Sequence, residues 1–261
     1  MDQFLQFAKE IAYEAGHIMK KYFFHNNEAC YKCDNTIVTK ADKDINDLLI
    51  KKVKEKFPMH SVDGEEKQFG KSNYVWVCDP VDGTAMYSRH VPVSVFSLAL
   101  VVDGVPLVGV VYDPWTDNLY SAVKNCGAYI NNEKIHVSDI KLEDMRSVSN
   151  FDMWPEADYN LYDAIKELGQ KTYFVSIASV IRASCCVASG DFNLAIFPGT
   201  NHKNCDIAAI KVIVEESGGK VTDLFGNEQR YDNSINGAII SNGVVHDEVV
   251  NIIKKSITNK K

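Results

Sequence analysis

The chain has 261 residues, 46% hydrophobic and 24% charged, a balance typical of a globular protein of one or two domains. Its net charge of −7 argues against a nucleic acid or an anionic membrane surface as the main partner, because both repel an acidic protein. Seven cysteines without regular spacing, a start without the apolar stretch of a signal peptide and no apolar run of membrane-spanning length predict a cytoplasmic protein with free thiols. Cys30 and Cys33 have the spacing of a redox motif or half a zinc site, but no second Cys/His pair lies nearby, so we interpret them as loop cysteines.

Two helices and then a series of short strands are predicted in the first half of the chain. Apolar residues recur with helical spacing over residues 4–22 and 41–57, and Pro58 follows the second helix. From residue 75 the period changes to β-rich runs separated by turn residues: YVWVC, SVFSLALVV, PLVGVVYD and NLYSAV. This pattern predicts an antiparallel meander that the two helices cover on one side.

Helices and strands alternate after about residue 138. Four helices are predicted: residues 155–168, residues 179–189, a helix after Asp206 and a last helix that ends near Lys255. The predicted strands are TYFVS, FNLAIF, GKVTD and GAIIS. Such alternation is typical of α/β layers. We therefore predict an α+β N-terminal half, residues 1–136, an α/β C-terminal half, residues 137–261, and a site between them.

Carboxylates at the ends of predicted elements form the candidate site. Glu65 and Glu66 follow Gly64 in a loop, Asp79 ends an apolar strand with Asp82 in the turn after it, and Asp206 opens a helix. Each signal alone is weak, because Asp-Pro and Asp-Gly are common turn dipeptides and an Asp at a helix start is often only a cap. Their occurrence together indicates a shared cation.

The turn in CDPVDGTAMY suggests what that cation does. Pro80 cannot donate a ladder hydrogen bond, so the strand is predicted to end there, and Gly83 permits a tight turn and close approach of an anion. The helix that the turn opens, through TAMYS, would present free N–H groups to a phosphate. Mg²⁺ prefers oxygen ligands and commonly bridges protein carboxylates to substrate phosphates.

These motifs together resemble the inositol monophosphatase family of Mg²⁺-dependent, lithium-sensitive sugar phosphatases. GEE, then DPVDGT beginning fourteen residues after Glu65, then DIAA leading to VEESGG, are similar to the three motifs of that family. TIVTKADKDIN is similar to its VT-x-x-D segment, and DPVDGT with Tyr87 and Arg89 downstream is the most specific match. The resemblance covers nearly the whole chain and implies an α-β-α-β-α layered sandwich, an α+β and α/β fold, usually dimeric.

The resemblance also implies roles for individual residues. The expected metal ligands, for about two or three Mg²⁺ ions, are Glu65, Asp79, the backbone carbonyl of Val81, Asp82 and Asp206. The expected phosphate and substrate contacts are Asp82, Gly83, Thr84 and Arg182, and the expected catalytic residues are Glu65, Thr84 and Asp42, the last two orienting or deprotonating the attacking water. The implied reaction is hydrolysis of a small polyol or sugar phosphate by in-line attack of a metal-activated water, with inositol 1-phosphate as the conventional substrate.

Several positions depart from the family pattern around the expected substrate pocket. Cys205 replaces an aromatic residue, the loop before Asp206 is about two residues longer and lacks an acid, and ASVI, residues 178–181, replaces a helix start of small residues. Arg182 either contacts a second phosphate or faces solvent or a neighbouring Asp, and His202 and Lys203 could reach a substrate.

Other substrates and another class of protein therefore stay open. The alternative substrates are 3′-phosphoadenosine 5′-phosphate, histidinol phosphate and fructose bisphosphate. A non-catalytic, metal-dependent binding protein is the alternative class, against which the complete set of acids argues.

Overall fold

A computed structural model of the chain describes residues 1–25, 27–32, 36–154, 157–199 and 203–259. The helices in these ranges are α1 (Asp2–Phe23), α2 (Lys40–Lys56), α3 (Thr84–Tyr87), α4 (Tyr162–Leu168), α5 (Val180–Ala188), α6 (Ala208–Glu216) and α7 (His246–Ser256). None of the helices described combines the length and apolar character needed to cross a bilayer.

Two main sheets organise the strands. The first, with strand order β10-β9-β8-β7-β6-β5-β3-β4, contains β3 (Ser61–Gly64), β4 (Gln68–Phe69), β5 (Tyr74–Asp82), β6 (Val95–Val102), β7 (Val105–Asp113), β8 (Asn118–Val123), β9 (Ala128–Ile130) and β10 (Glu133–Lys134). The second, with order β13-β11-β14-β16-β15, contains β11 (Val148–Phe151), β13 (Tyr173–Val175), β14 (Leu194–Phe197), β15 (Lys220–Thr222) and β16 (Ala238–Ser241). Two short ladders pair β1 (Cys30–Tyr31) with β2 (Ile37–Val38) and β12 (Tyr159–Asn160) with β17 (Thr258–Asn259).

The helices and sheets form five layers, α-β-α-β-α, as the resemblance implies. Helices α1 and α2 pack on one face of the first sheet, and α6 packs on the other face beside α5. Helix α5 also contacts the second sheet, whose outer face carries α7 and its neighbour α4. Three apolar clusters fill the spaces between successive layers. The first sheet draws on residues 61–134 and the second on residues 148–241, and the division at 136/137 stays a prediction.

The predicted meander is confirmed from β5 to β8, which pair antiparallel in chain order, and the unpredicted strands β9 and β10 continue it. Strand β3 was not predicted, and it pairs parallel with β5, so that Gly64 lies opposite Cys78. The prediction that β5 ends at Pro80 is wrong, because the strand continues to Asp82 across a shift in register between Asp79 and Asp82. The shift leaves Pro80 outside the ladder, which removes the need for its missing N–H.

Two further predictions in the second half need correction. The sequence did not predict β11, the strand between β13 and β14, because its buried residues Ser149 and Asn150 hide the apolar pattern. Helix α4 begins at Tyr162 rather than at residue 155, which lies outside the described residues. Asn160 accepts a hydrogen bond from the Tyr162 N–H and belongs to β12, so the helix cannot extend back through it.

Glycines allow helices to approach both faces of the first sheet closely. A Cβ at Gly16 of α1 would lie 2.2 Å from Cε1 of Tyr112 on β7. On the opposite face, a Cβ at Gly109 of β7 would lie 2.6 Å from the carbonyl oxygen of Ala209 and 2.5 Å from Cγ1 of Val212, both on α6. Helix α6 therefore lies directly against the backbone of β7.

We predict that Gly109→Ala lowers the free energy of unfolding by about 1–3 kcal/mol, because the added methyl group forces α6 away from β7. Urea unfolding followed by circular dichroism measures the change. The control is Val105→Ala on the same strand, where Val105 is 41% exposed, and we expect a change within about 0.5 kcal/mol. Equal stability of Gly109→Ala and the wild type would contradict the close approach.

Candidate functional site

Glu65 and Asp79 meet because β3 and β5 are parallel neighbours. Gly64, the last residue of β3, pairs with Cys78, and the Glu65 N–H donates to the Cys78 carbonyl at 3.1 Å. Asn46 of α2 holds the turn that follows, accepting hydrogen bonds from the N–H groups of Glu66 and Lys67. A Cβ at Gly64 would lie 2.2 Å from Oδ1 of Asn46, so glycine is required for this contact.

Asp82 is held at the end of β5 by donors from the second half of the chain. The Ser179 hydroxyl and the Ile181 N–H, the latter at 3.0 Å, both donate to Oδ2 of Asp82. The same hydroxyl oxygen accepts from the Arg182 N–H at 3.2 Å and so caps the N-terminus of α5. One serine therefore fixes the start of α5 and orients a carboxylate of the first sheet.

Asp206 reaches the same place from a third segment. It lies in the turn before α6 rather than in the helix itself, since α6 begins at Ala208. Because α6 packs against the first sheet, the turn before the helix lies beside β5. Oxygens of Asp79 and Asp206 and the Cys205 sulfur all lie within 4.8 Å of one another.

A cavity of about 380 Å³ brings together most of the predicted site residues. Those that line it are Glu65, Asp79, Val81, Asp82, Gly83, Thr84 and Asp206. Lys203 and three residues of the ASVI stretch, which the sequence analysis had placed near the substrate pocket, also line it: Ala178, Ser179 and Val180. The remaining lining residues, which the sequence did not predict, are Thr36, Ile37, Ala85, Asp152, Met153, Trp154, Ser176 and Phe197. Both halves of the chain thus contribute walls to one cavity.

Burial and mutual repulsion make the anionic forms of these acids costly. Burial is the main cause that raises the pKa of Asp82 to about 7 and that of Asp206 to about 6, and the charge of Asp206 further raises the pKa of Asp82. The pKa of Asp79 is raised well above its ordinary value by burial and by the charge of Glu65. A cation that neutralised this cluster would remove the penalty.

The donor set fits a hard divalent cation. Glu65, Asp79, Asp82 and Asp206 offer carboxylate oxygens, the ligands that Mg²⁺ prefers, and Val81 offers a backbone carbonyl. The Cys205 sulfur, 3.5 Å from Oδ1 of Asp206, is a soft donor that Mg²⁺ does not select. Oxygen ligands therefore dominate the cluster.

Two lysines neutralise Glu65. The Lys203 ammonium lies 2.6 Å from Oε1 of Glu65, and the Lys32 ammonium lies 3.5 Å from the same oxygen and 2.5 Å from Oε1 of Glu66. Burial alone would raise the pKa of Glu65, but the positive charges of Lys203 and Lys32 lower it. The two lysines thus favour the anionic form of Glu65.

Asp42 and Thr84 each form hydrogen bonds with other residues of the protein. Oδ2 of Asp42 accepts hydrogen bonds from the N–H and hydroxyl of Thr39, at 2.7 and 2.5 Å, in a capping box at the start of α2. Oδ1 of Asp42 is buried without a hydrogen-bond partner, and Asp42 does not line the cavity. The Thr84 hydroxyl donates to the Val81 carbonyl at 2.8 Å. A joint action of Asp42 and Thr84 on water stays a prediction.

Arg182 was predicted to contact a substrate phosphate, but in the structure its guanidinium pairs with a carboxylate of the protein. Its guanidinium donates to Oδ2 of Asp113, a buried carboxylate on β7, and Arg182 does not line the cavity. Pairing with an Asp was the alternative that the sequence left open. The other predicted loop contact, His202, lies outside the described residues, as does Cys33.

The part of the cavity lining that includes Asp152, Trp154 and Phe197 carried no recognisable motif in the sequence. Asp152 accepts hydrogen bonds from the Ser176 hydroxyl at 2.5 Å and from the Ala178 N–H at 3.1 Å. Ala178 is held at φ 60°, a left-handed conformation unusual for alanine, in the stretch that departs from the family pattern. Trp154 and Phe197 form an aromatic pair with ring centroids 5.6 Å apart. Only Ser179 had a local signal, as a serine directly before an apolar helical run.

The chain is similar to known proteins over nearly its whole length. Residues 1–258 match the sequence profile of the Inositol monophosphatase family. Inositol monophosphatase 1 from Solanum lycopersicum is 30% identical over 239 residues, covering 87% of each chain. The fructose-1,6-bisphosphatase/inositol-1-monophosphatase of Thermotoga maritima is 28% identical over 255 residues, which are 97% of this chain and 96% of that protein. The crystal structure of a staphylococcal IMPase-I complexed with products has a TM-score of 0.84 at 26% identity, covering 97% of this chain and 95% of that one.

We predict that, without metal, Asp82→Asn is more stable than the wild type at pH 8, by up to about 4 kcal/mol. The folded-state pKa of Asp82, about 7, exceeds its ordinary value of 3.8, so the wild type loses stability as pH rises from about 4 to about 7 and regains none above it. The asparagine oxygen keeps the acceptor for Ser179 and Ile181.

The stability difference should shrink steadily as pH falls from 7 towards 4, because the carboxyl group then takes up its proton in the folded state. Urea unfolding in a chelator at four pH values measures it, with the exposed substitution Asp163→Asn as control. A difference that is constant with pH would contradict the raised pKa.

Proposed function

The chain belongs to the inositol monophosphatase family and is a phosphoric monoester hydrolase, and we propose that it releases phosphate from a small polyol or sugar phosphate such as inositol 1-phosphate. The observation that carries this proposal is the convergence of Glu65, Asp79, Asp82 and Asp206 on one cavity beside Gly83 and Thr84. A non-catalytic binding protein would need the acids but not the groups that position phosphate and water.

Glu65, Asp79, Asp82, Asp206 and the Val81 carbonyl would hold Mg²⁺, in a family that is metal-dependent. When bound, Mg²⁺ would supply positive charge beside the phosphate and lower the pKa of water. The Val81 carbonyl accepts from Thr84 and still has a second lone pair for this role. Donors from Ser179 and Ile181 hold Asp82 in a single orientation, so little reorganisation is needed at the site.

Thr84 and Glu65 would position the attacking water. The Thr84 hydroxyl donates to Val81, so its oxygen lone pairs stay available to accept a hydrogen bond from water. Glu65, kept anionic by its two lysines, can accept a further hydrogen bond from the water and take up a proton from it. The Gly83 N–H, at the start of α3, would donate to a phosphate oxygen.

The wall of Asp152, Trp154, Ser176 and Phe197 would contact the alcohol that leaves. Carboxylate and hydroxyl groups can bond the hydroxyls of a polyol, and an aromatic surface can pack on its C–H face. Fructose bisphosphate is the second candidate substrate, because the Thermotoga maritima relative carries both activities in its name. The pairing of Arg182 with Asp113 removes the main argument for an adenosine bisphosphate.

A homodimer in the cytoplasm is part of the proposal. The free cysteines in the described residues, including the buried Cys78 and Cys185, agree with a reducing compartment. The dimer follows from the family resemblance alone, and gel filtration would measure it.

We predict that Asp79→Asn keeps the fold but reduces Mg²⁺-dependent phosphate release from inositol 1-phosphate by at least about a thousandfold, because the site loses a buried anionic ligand. Circular dichroism checks the fold, and malachite-green detection with and without Mg²⁺ measures release. Asp163→Asn, on the exposed surface of α4, should release phosphate like the wild type. Near-normal release by Asp79→Asn would exclude the proposed site.

We predict that Arg182→Ala leaves the order of substrate preference unchanged and lowers the free energy of unfolding by about 1–3 kcal/mol, because buried Asp113 loses its cation. A panel of inositol 1-phosphate, fructose 1,6-bisphosphate, histidinol phosphate and 3′-phosphoadenosine 5′-phosphate tests the preference. A preference for the adenosine bisphosphate that is lost in Arg182→Ala would show that Arg182 contacts substrate.

A further inference from the structure

The Lys203 side chain lines two neighbouring cavities and contacts Glu65, which lines both of them as well. Lys203 and Glu65 line the cavity of about 380 Å³ and also an adjoining polar cavity of about 570 Å³. The ammonium is 2.6 Å from Oε1 of Glu65, whose side chain is only 8% exposed. This contact joins the segment before α6 to the residue that follows β3.

We propose that the Lys203 ammonium is an internal counter-ion that competes with a divalent cation for Glu65 and thereby sets the metal affinity of the site. The inference rests on the proposed function, in which Glu65 is a metal ligand. It adds a role for Lys203 that differs from the substrate contact considered from the sequence.

The competition follows from the geometry of one oxygen. An ammonium hydrogen-bonded to Oε1 of Glu65 occupies space and lone pairs that a metal ion would use. It also places a positive charge among the carboxylates of Asp79 and Asp206, where it opposes the approach of a second cation. A divalent ion that coordinates Glu65 must therefore displace the ammonium or tolerate its charge.

Lys32 is less suited to this role, although it also contacts Glu65. Its ammonium lies 2.5 Å from Glu66 and 3.5 Å from Glu65, so Glu66 is its closer partner. Lys32 also lines only the adjoining cavity, whereas Lys203 lines both cavities. Removing the Lys203 charge should therefore affect metal binding more than removing that of Lys32.

Calorimetric titration of the metal-free protein with Mn²⁺ and with Mg²⁺ tests the inference. We expect Lys203→Met to bind each metal at least about tenfold more tightly than the wild type, because the site gains one net negative charge and Oε1 of Glu65 loses its nearer ammonium, with Lys32 left 3.5 Å away. Lys203→Gln, which keeps a polar side chain, should give a gain in the same direction.

Two controls separate charge from position. Lys203→Arg keeps the positive charge and should bind metal within about threefold of the wild type. Lys67 lies on the same loop as Glu65, and its exposed ammonium pairs with Asp47 of α2. Lys67→Met removes this charge and should leave the metal affinity unchanged.

Thermal unfolding gives a second readout that a purely structural role would not change. In a chelator, Lys203→Met should melt below the wild type, because buried Glu65 loses a partner. Addition of Mg²⁺ should then raise its Tm by more than it raises that of the wild type, since stabilisation grows with affinity. If the Lys203–Glu65 pair were only structural, Lys203→Met would lower the Tm equally in the chelator and in Mg²⁺. The rise in Tm caused by Mg²⁺ would then be the same as in the wild type.

Equal or weaker metal binding by both Lys203→Met and Lys203→Gln, with normal binding by the wild type, would overturn the inference and leave the proposed function intact. Absence of metal binding in the wild type and in every variant would overturn both, because no competition exists without a site.

Discussion

Three buried carboxylates repel one another in this structure, and the surrounding elements must hold them together despite that repulsion. Asp79, Asp82 and Asp206 each lie in the interior, where burial and neighbouring negative charges raise their pKa values. Such a cluster destabilises the folded chain, so the remaining fold must hold the acids together against their own electrostatics. The same cost creates the driving force for binding a cation, and the site can therefore be both a weak point of the fold and the source of its chemistry.

The elements that hold the cluster belong to different layers, and each contributes through ordinary packing and hydrogen bonds. Parallel pairing of β3 with β5 places Glu65 beside Asp79. Beyond Asp79 the register of β5 shifts, and Asp82 ends the strand. Close approach of α6 to Gly109 places Asp206 at the same end of the sheet. Ser179 at the start of α5 then ties Asp82 to the second half of the chain. The proposed metal binding would therefore be coupled to the cohesion of the layers, because one set of contacts would serve both.

The two sides of the cavity differ in kind. The side that would hold the metal and the phosphate is built from charged groups at element ends, whereas the other part of the lining combines one acid, Asp152, with Trp154 and Phe197. In the proposed function, phosphate release would depend on the first side and the choice of alcohol on the second. Lys203 belongs to the first side, where its ammonium contacts Glu65. Differences in substrate among proteins of this architecture can thus arise without any change in the acids.

The main helices, the antiparallel strands β5 to β8, the layered fold and four acids of the cavity, Glu65, Asp79, Asp82 and Asp206, could be predicted from the residues. These features depend on local periodicity and on short motifs, which a linear pattern records. The three-dimensional packing was needed to show that β3 and β11 are strands, that Asp152 lines the cavity, that Arg182 pairs with Asp113, and that Lys203 pairs with Glu65. Buried Ser149 and Asn150 mask the pattern of β11, and both ion pairs join residues far apart in the chain. A contact of that kind depends on how layers pack, so no local pattern of residues could have revealed it.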